Sequence, residues 1–192
     1  KLDNGDTAVC EGQAIQTSVT GDSRYTYSWT STGLPGVFDN PSLINPKITP
    51  APLGKSTYKI VAKYPSCPLD STAEFDITVE PVPTVTVDND ASMCENDTML
   101  LHGVVLPSTF PFALNWSPGA SLNNTGILSP IFKAQQTTTL VLTATSPLAK
   151  CTAADSVKLT VFPAKFVTVE GDTAICPGSS TSLSVIGGSI KS

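Results

Sequence analysis

The sequence predicts an all-β protein built from tandem β-sandwich modules, and three observations lead to this prediction. Cysteines recur at a fixed interval, and short segments rich in β-branched and aromatic residues recur in step with them. No segment shows the sustained 3.6-residue apolar period and the end caps of a helix. The 192 residues also include 16 prolines and 13 glycines, which disfavour long helices.

The cysteines set the length of the module. The interval from Cys10 to Cys67 is identical to the interval from Cys94 to Cys151, so the second pair repeats the first one module further along the chain. We therefore predict one disulfide in each module, Cys10 with Cys67 and Cys94 with Cys151, and an oxidising compartment. A metal site is the weaker alternative, because the chain has no C-x-x-C motif and a single histidine.

A fifth cysteine, Cys176, follows Cys94 at nearly the interval at which Cys94 follows Cys10, and a third copy begins there. At the spacing of the first two pairs, its partner would fall beyond residue 192. We predict that Cys176 is unpaired by truncation of that copy. A reactive thiol and an intermolecular link are the alternatives.

Four segments in each copy have the composition and partial alternation of strands. In the first copy they are residues 14–19, 25–29, 57–62 and 73–79, and in the second they are 100–106, 113–116, 138–144 and 156–161. Turn signals such as those at residues 21–22 and 40–41 lie between them. About seven short strands in some 83 residues suit an immunoglobulin-like sandwich.

Each copy closes on a short proline-bearing linker, at residues 81–83 and 163–165. We predict sandwich modules at 1–82 and 83–165 and an incomplete third module at 166–192, joined in an elongated array by semi-stiff linkers. Trp29 and Trp116 stand on predicted strands, and we expect them to fill the two cores. A solvent-facing platform for sugars is the alternative for the tryptophans.

The charge balance excludes some functions. The net charge is −5 and only 14% of the residues are charged, whereas phosphate binding needs clustered Lys and Arg. We therefore expect no nucleic-acid partner. No apolar run reaches the roughly 18 residues of a spanning helix, so we expect no membrane insertion.

The motifs resemble a known repeat family. Asp-Thr-Ala-Ile-Cys-Pro-Gly at 172–178, aromatic-x-Trp at 27–29, Asn-Pro at 45–46 and a closing apolar-x-Val before proline are similar to the PKD-like or immunoglobulin-like repeats of large Bacteroidota surface proteins. These include the gliding-motility adhesin exported by the type IX secretion system. The Trp-x-Phe-Gly-Asp-Gly motif of classical PKD domains is absent, because Trp29 is followed by Thr-Ser-Thr-Gly. The resemblance implies an extracellular adhesive or spacer role without catalysis.

Acidic residues before each copy are weak candidates for calcium, because calcium takes clustered oxygen ligands. They include Asp6, Asp88 and Asp90. The alternative is that Asp, Asn and Gly simply form turns there. No other cofactor is expected.

Asp-Ser/Thr-apolar triplets are a further feature. They resemble the O-glycan acceptor motif of exported Bacteroidota proteins and mark Thr7, Thr98, Ser156 and Thr173. The triplets recur with the repeat, so a purely structural origin is the alternative.

The predicted function is that of a non-catalytic repeat of a cell-surface adhesin or filament, with neighbouring repeats, a surface polysaccharide or another extracellular ligand as partners. A single histidine cannot supply a serine or cysteine triad in both modules. We expect this histidine, His102, to be a surface or half-buried residue of a strand. A carbohydrate-binding or spacer module of a secreted polysaccharide-degrading enzyme is the alternative. The aromatic residues expected at loops that could bind are Tyr25, Phe38, Tyr64, Phe110 and Phe112, and packing beneath the loops is the alternative for them.

Overall fold

The computed structural model describes residues 7–33, 36–49, 53–171 and 174–189, and every regular element in these ranges is a β-strand. This confirms the predicted all-β class. Among the described residues no helix is long and apolar enough to cross a membrane.

The first repeat contains seven strands that form two sheets. They are β1 (Thr7–Cys10), β2 (Ile15–Gln16), β3 (Thr26–Thr32), β4 (Val37–Phe38), β5 (Lys47–Thr49), β6 (Gly54–Lys63) and β7 (Ser71–Glu80). One sheet has the order β1-β7-β6-β3 and the other has the order β2-β5-β4. Within the first sheet β1 runs parallel to β7, while the remaining pairs are antiparallel.

Alternation of apolar residues places the core between these two sheets. In β7 the side chains of Phe75, Ile77 and Val79 are buried, and they pack with Trp29 of β3 and Ile48 of β5. Successive side chains of a strand point to opposite faces, so the residues between them face away from the core. The two sheets therefore form a sandwich, as predicted.

The second repeat contains eight strands. They are β8 (Thr84–Val87), β9 (Ala91–Cys94), β10 (Thr98–Leu100), β11 (Gly103–Leu106), β12 (Ala113–Ser117), β13 (Ile131–Lys133), β14 (Thr138–Thr145) and β15 (Thr152–Phe162). These strands form one four-stranded sheet and the two-stranded sheets β10-β13 and β11-β8. The sheet β12-β14-β15-β9 matches the large sheet of the first repeat in order, and β9 is again parallel to β15. The segment predicted as one strand at 100–106 is instead β10 and β11 with a break between them.

The two tryptophans occupy equivalent core positions. Trp29 and Trp116 are 3% and 1% exposed. The indole Nε1–H of Trp29 donates to the carbonyl of Leu43 at 3.0 Å, and that of Trp116 donates to the carbonyl of Ile127 at 2.9 Å. Each ring therefore fills its core while its polar atom is satisfied, which confirms the prediction of core tryptophans over the alternative of an exposed platform.

The last described residues form a hairpin-like pair of strands, β16 (Lys165–Glu170) and β17 (Ser184–Ser189), paired antiparallel. Apolar side chains of this pair, among them Val167, Val169 and Val185, are more than half exposed.

The described chain divides into two compact units. The first contains the described residues up to Thr86 with Val104–Asn115 and Thr143–Ala154, and the second contains Val87–Gly103, Trp116–Leu142 and the described residues from Asp155 onward. The first unit thus combines the first repeat with loop-bearing segments of the second. The module boundaries at 82 and 165 stay a prediction from the sequence.

Candidate functional site

A disulfide and a buried carboxylate join the two sequence repeats inside the first compact unit. Cys10 of the first repeat is bonded to Cys151 of the second, across a sequence separation of 141 residues, with their Cα atoms 5.7 Å apart. Glu80, 3% exposed, lies beside this bond. We refer to Cys10, Glu80 and the loop of residues 146–151 as the joint.

Strand pairing places Cys10 in the joint. Because β1 runs parallel to β7, Cys10 is paired with Glu80, the last residue of β7. The chain then turns, and the backbone N–H of Glu11 donates to the Glu80 carbonyl at 2.9 Å. The side-chain oxygen of Gln13 accepts the N–H of Cys10 at 3.2 Å and holds this turn.

The carboxylate of Glu80 connects β7 to the second repeat by hydrogen bonds. One of its oxygens accepts the backbone N–H of Leu148 at 3.0 Å and that of Ala149 at 2.6 Å. Hydrogen bonds to an ionised acceptor are stronger than neutral ones. A buried polar group is costly unless it has partners, and these two donors supply them.

The loop between β14 and β15 is shaped to present Cys151. Ser146 is fully buried, its hydroxyl accepts the N–H of Cys151 at 2.9 Å, and its own N–H donates to the Cys151 carbonyl at 2.9 Å. Lys150 adopts a left-handed conformation with φ of 59°. Cys151 is 3% exposed, so its sulfur is held at a fixed place next to the Glu80 carbonyl.

This pairing corrects the predicted disulfides. Cys67 and Cys94 were expected in bonds with Cys10 and Cys151, but both are exposed free thiols. Cys10 lies at the carboxyl end of β7, whereas Cys67 lies in the hairpin before its amino end. Ten residues of strand at about 3.3 Å each separate the two places by roughly 30 Å. A disulfide needs Cα atoms within about 7 Å, so the within-module bond is excluded.

Cys176 is also an exposed free thiol. Truncation of a third copy as the reason for its unpaired state stays a prediction.

The sequence pattern does not mark Glu80 as a buried residue. In β7 the inward positions alternate through Phe75, Ile77 and Val79, so Glu80 falls on the outward side and reads as a surface residue. The matching position in β15 holds an apolar residue, Phe162, and this difference between the repeats is the sequence signal that sets Glu80 apart.

The acidic residues proposed for calcium have other partners. Asp88 accepts the backbone N–H of His102 at 2.8 Å, and Asp90 accepts that of Lys158 at 2.8 Å. Within the ranges described above, no group of three or more His, Cys, Asp or Glu side chains could hold a metal ion. Asp6 lies outside the described residues.

The proposed glycan acceptors lie in different environments. Thr7 is half-buried on β1, while Thr98 at the start of β10 and Ser156 in β15 are exposed. Thr173 lies outside the described residues. Glycosylation at these positions stays a prediction.

Among the loop aromatics, two form an exposed pair. Tyr25 and Tyr64 are 38% and 36% exposed, and their ring centroids are 5.4 Å apart. Phe38 instead packs against Trp29 and Tyr58 beside the core. The structure therefore supports exposure for the tyrosines and packing for Phe38.

The other two loop aromatics, Phe110 and Phe112, are half-buried and contact each other, with ring centroids 4.8 Å apart. They belong to the first compact unit together with the joint.

A cavity of about 490 Å³ opens beside the exposed tyrosine pair. Its lining includes Tyr25 and Tyr27, the Asp22–Arg24 pair and Ser71. Two hydrogen bonds from the Arg24 Nε–H, at 3.0 and 3.1 Å, reach the Asp22 carboxylate. Hydrogen bonds from the Arg24 side chain and backbone lower the pKa of Asp22 to about 2, so it is ionised at neutral pH.

His102 is exposed, in the break between β10 and β11 rather than on a strand, and its ring lies 3.3 Å from the Asp88 carboxylate. The arrangement orders a loop: Asp88 bonds both the ring and the backbone of the same residue.

No protein-family profile matches the sequence, and no curated protein is significantly similar to it. Solved structures do share the fold. The extracellular domains 3–5 of Drosophila OTK are similar with a TM-score of 0.60 and 12% identity over 84% of this chain and 61% of that one. The immunoglobulin domains 1–5 of Sidekick-1 are similar with a TM-score of 0.54 and 11% identity over 97% of this chain and 45% of that one.

These similarities show an immunoglobulin-like fold in tandem, as the sequence predicted. The chain spans less than two thirds of the length of either structure.

Proposed function

We propose that this chain is a non-catalytic repeat segment of an extracellular surface protein, in which immunoglobulin-like modules bind or space others and are joined covalently. The joint is the observation that supports this proposal, because a disulfide between one repeat and the next resists their separation under force. Disulfides also form and persist mainly in oxidising compartments outside the cytosol.

The sequence resemblance to Bacteroidota repeats supports a more specific role. We infer that the parent protein is exported by the type IX secretion system and acts in adhesion or gliding motility. Neighbouring repeats are then the first partners of this segment, and a surface polysaccharide is a candidate ligand for loops at the sandwich ends.

Labelling of intact source cells with a membrane-impermeant amine reagent tests this proposal. We expect peptides of this segment to be labelled without lysis, while a cytoplasmic control protein is not. Deletion of the segment from the parent gene should reduce attachment or gliding speed without lowering the surface level of the parent. Labelling only after lysis would contradict the extracellular assignment.

The cavity next to Tyr25 favours a second candidate, a carbohydrate-binding module. Exposed aromatic rings beside polar side chains are the groups that a sugar ring contacts. Calorimetry with soluble polysaccharides distinguishes the candidates: binding lost in Tyr25→Ala and retained in Phe162→Ala would support the carbohydrate-binding module. Absence of binding across a glycan array would leave the spacer role as the better account.

A further inference from the structure

We propose that Cys94 forms a disulfide with the hairpin cysteine of a following repeat of the same kind, so that the Cys10–Cys151 bond is one link of a recurring series. This inference rests on the proposed function as a repeat segment and names the way in which neighbouring repeats are joined. The partner is identified by its chemistry, a thiol in the loop that corresponds to residues 146–151.

The surroundings of Cys94 reproduce those of Cys10. Cys94 ends β9, which is parallel to β15, as Cys10 ends β1 beside β7. The N–H of Glu95 donates to the Phe162 carbonyl at 2.8 Å, which matches the 2.9 Å bond from Glu11 to Glu80.

The turn that follows Cys94 is also the same. The Asp97 carboxylate accepts the Cys94 N–H at 3.1 Å, and the Asp97 N–H donates to the Cys94 carbonyl at 3.2 Å. Gln13 makes the same two bonds to Cys10, at 3.2 and 3.0 Å. Two cysteines on the same turn, beside the same end of a parallel strand, present their sulfurs in the same way.

The topology excludes a partner within the same repeat. Cys94 is paired with Phe162 at the carboxyl end of β15, whereas Cys151 precedes its amino end. The 11 residues of β15 span about 35 Å. Cys94 is therefore too far from the hairpin of its own repeat, just as Cys10 is from Cys67, and only another repeat can supply the sulfur.

The surface around Cys94 fits a following repeat. Phe162 stands at the position of the buried Glu80 and is 56% exposed. An apolar side chain beside a free thiol would gain from burial against a neighbour. Phe162 has no carboxylate to accept hydrogen bonds from a neighbouring loop. The disulfide would therefore contribute a larger share of the stability of this second joint than it does in the first.

Cys67 is the reciprocal position. It lies in the hairpin between β6 and β7, as Cys151 closes the hairpin between β14 and β15, and it is an exposed free thiol. The chain therefore contains two types of cysteine. Cys10 and Cys94 each end the strand that pairs parallel with the last long strand of their repeat, and we call them first-strand cysteines. Cys67 and Cys151 lie in a hairpin, and the observed bond joins unlike types from successive repeats.

Bond formation requires an oxidant, which we take to be a small-molecule or protein disulfide. The Cys94 thiol loses its proton and its thiolate attacks one sulfur of that disulfide, which releases one thiolate. The partner cysteine then attacks the mixed disulfide and releases the second thiolate. Two protein thiols are oxidised to one disulfide while the oxidant is reduced to two thiols.

Duplication of the second repeat within the full chain tests the proposal. A second copy of residues 84–165 is inserted after Lys165, which preserves the register of the proline-bearing junction. The protein is oxidised in glutathione buffer, free thiols are alkylated, and disulfide-linked peptides are identified by mass spectrometry. The inserted copy carries Thr152→Ser at an exposed position, so that its Cys151 peptide has a distinct mass. The matched control is the same duplicated chain with Cys94→Ser in the original copy only.

We expect the original Cys94 to be linked to the inserted copy of Cys151, with the Cys10–Cys151 bond retained. In the control, the inserted copy of Cys151 should be alkylated. If Cys94 stays free while Cys10–Cys151 forms, the inference is wrong and the proposed function stands. If Cys10–Cys151 itself does not form in the natural chain, the joint on which the proposed function rests is wrong.

A second measurement does not depend on folding of the duplicated chain. The natural chain is oxidised at high protein concentration, and cross-links between copies are mapped. Links between Cys67 of one copy and Cys94 or Cys176 of another support the pairing of unlike types. Links only between like cysteines, or no links, would overturn it.

Discussion

Reduction of the Cys10–Cys151 bond should lengthen the mechanically unfolded chain by a defined amount. In the oxidised chain the disulfide connects two residues that are 141 positions apart, so the segment between them cannot be extended by a force applied at the termini. At about 3.3–3.6 Å per residue, this segment has a contour length of roughly 470–510 Å. Reduction should therefore release that length.

Single-molecule force spectroscopy with handles at the two termini measures this quantity. Oxidised wild-type chains should lack the hidden length, and chains treated with a reductant or carrying Cys10→Ser should show it. Cys67→Ser is the matched control, because Cys67 is a free thiol and its loss should leave the oxidised length unchanged.

Two within-module bonds would give another result. They would hide only the segments from Cys10 to Cys67 and from Cys94 to Cys151, so reduction would release about 380–410 Å in total. A gain in that range, or a longer oxidised chain in Cys67→Ser, would refute the pairing of Cys10 with Cys151.

Three further predictions concern stability. Glu80→Ala removes the acceptor of two charge-assisted hydrogen bonds and should lower the free energy of unfolding by about 2–5 kcal/mol, whereas Glu74→Ala, at an exposed ion pair, should cost less than about 1 kcal/mol in the same denaturant titration. Tyr58→Phe removes a buried hydroxyl that has no hydrogen-bond partner among the described residues, so the free energy of unfolding should stay equal or rise by about 1 kcal/mol. A fall of that size would show that the hydroxyl has a partner. Hydrogen bonds from Arg24 lower the pKa of Asp22 in the folded state from 3.8 to about 2, so the stabilising contribution of Asp22 is present above about pH 4 and is lost as the pH falls towards 2. Asp22→Asn should remove that part of the loss of stability in acid, and a variant whose melting temperature falls between pH 4 and 2 as much as that of the wild type would count against this reasoning.

The repeat could be predicted from the sequence because local patterns encode it. Trp29 and Trp116 stand in matching surroundings, and burial of the largest side chain at the centre of a sandwich follows from its size and its position on a strand. The alternation around Phe75 and Ile77 likewise marks the inward face of β7. These patterns depend only on residues that are close in the sequence, and the residues they mark are buried in the structure.

The disulfide pairing could not be predicted because the same register fits two connectivities. Cys10 to Cys67 and Cys10 to Cys151 both join a first-strand cysteine to a hairpin cysteine, and they differ only in which repeat supplies the hairpin. The parallel pairing of β1 with β7 decides between them, since it puts Cys10 at the far end from its own hairpin. This parallel pairing joins residues about 70 positions apart, so it cannot be predicted from patterns among neighbouring residues.

Staggered links would restrict the extension of an array more than links within modules would. A bond within each module leaves the segment from Cys67 to Cys94 extensible, and one such segment recurs in every repeat. With the observed pairing, force passes from Cys10 to Cys151 through the disulfide and then through the similarly short segment from Cys151 to Cys176, the next first-strand cysteine. If Cys176 is joined to a following hairpin in the same way, only one short segment can extend for every two repeats. Links within modules would leave one such segment in every repeat. With Cys94 linked as proposed, the links would also overlap, because Cys94 lies inside the segment closed by Cys10 and Cys151. Rupture of one link would then leave part of that segment held by the next. An array of repeats under tension would gain stiffness from such overlap without any larger core.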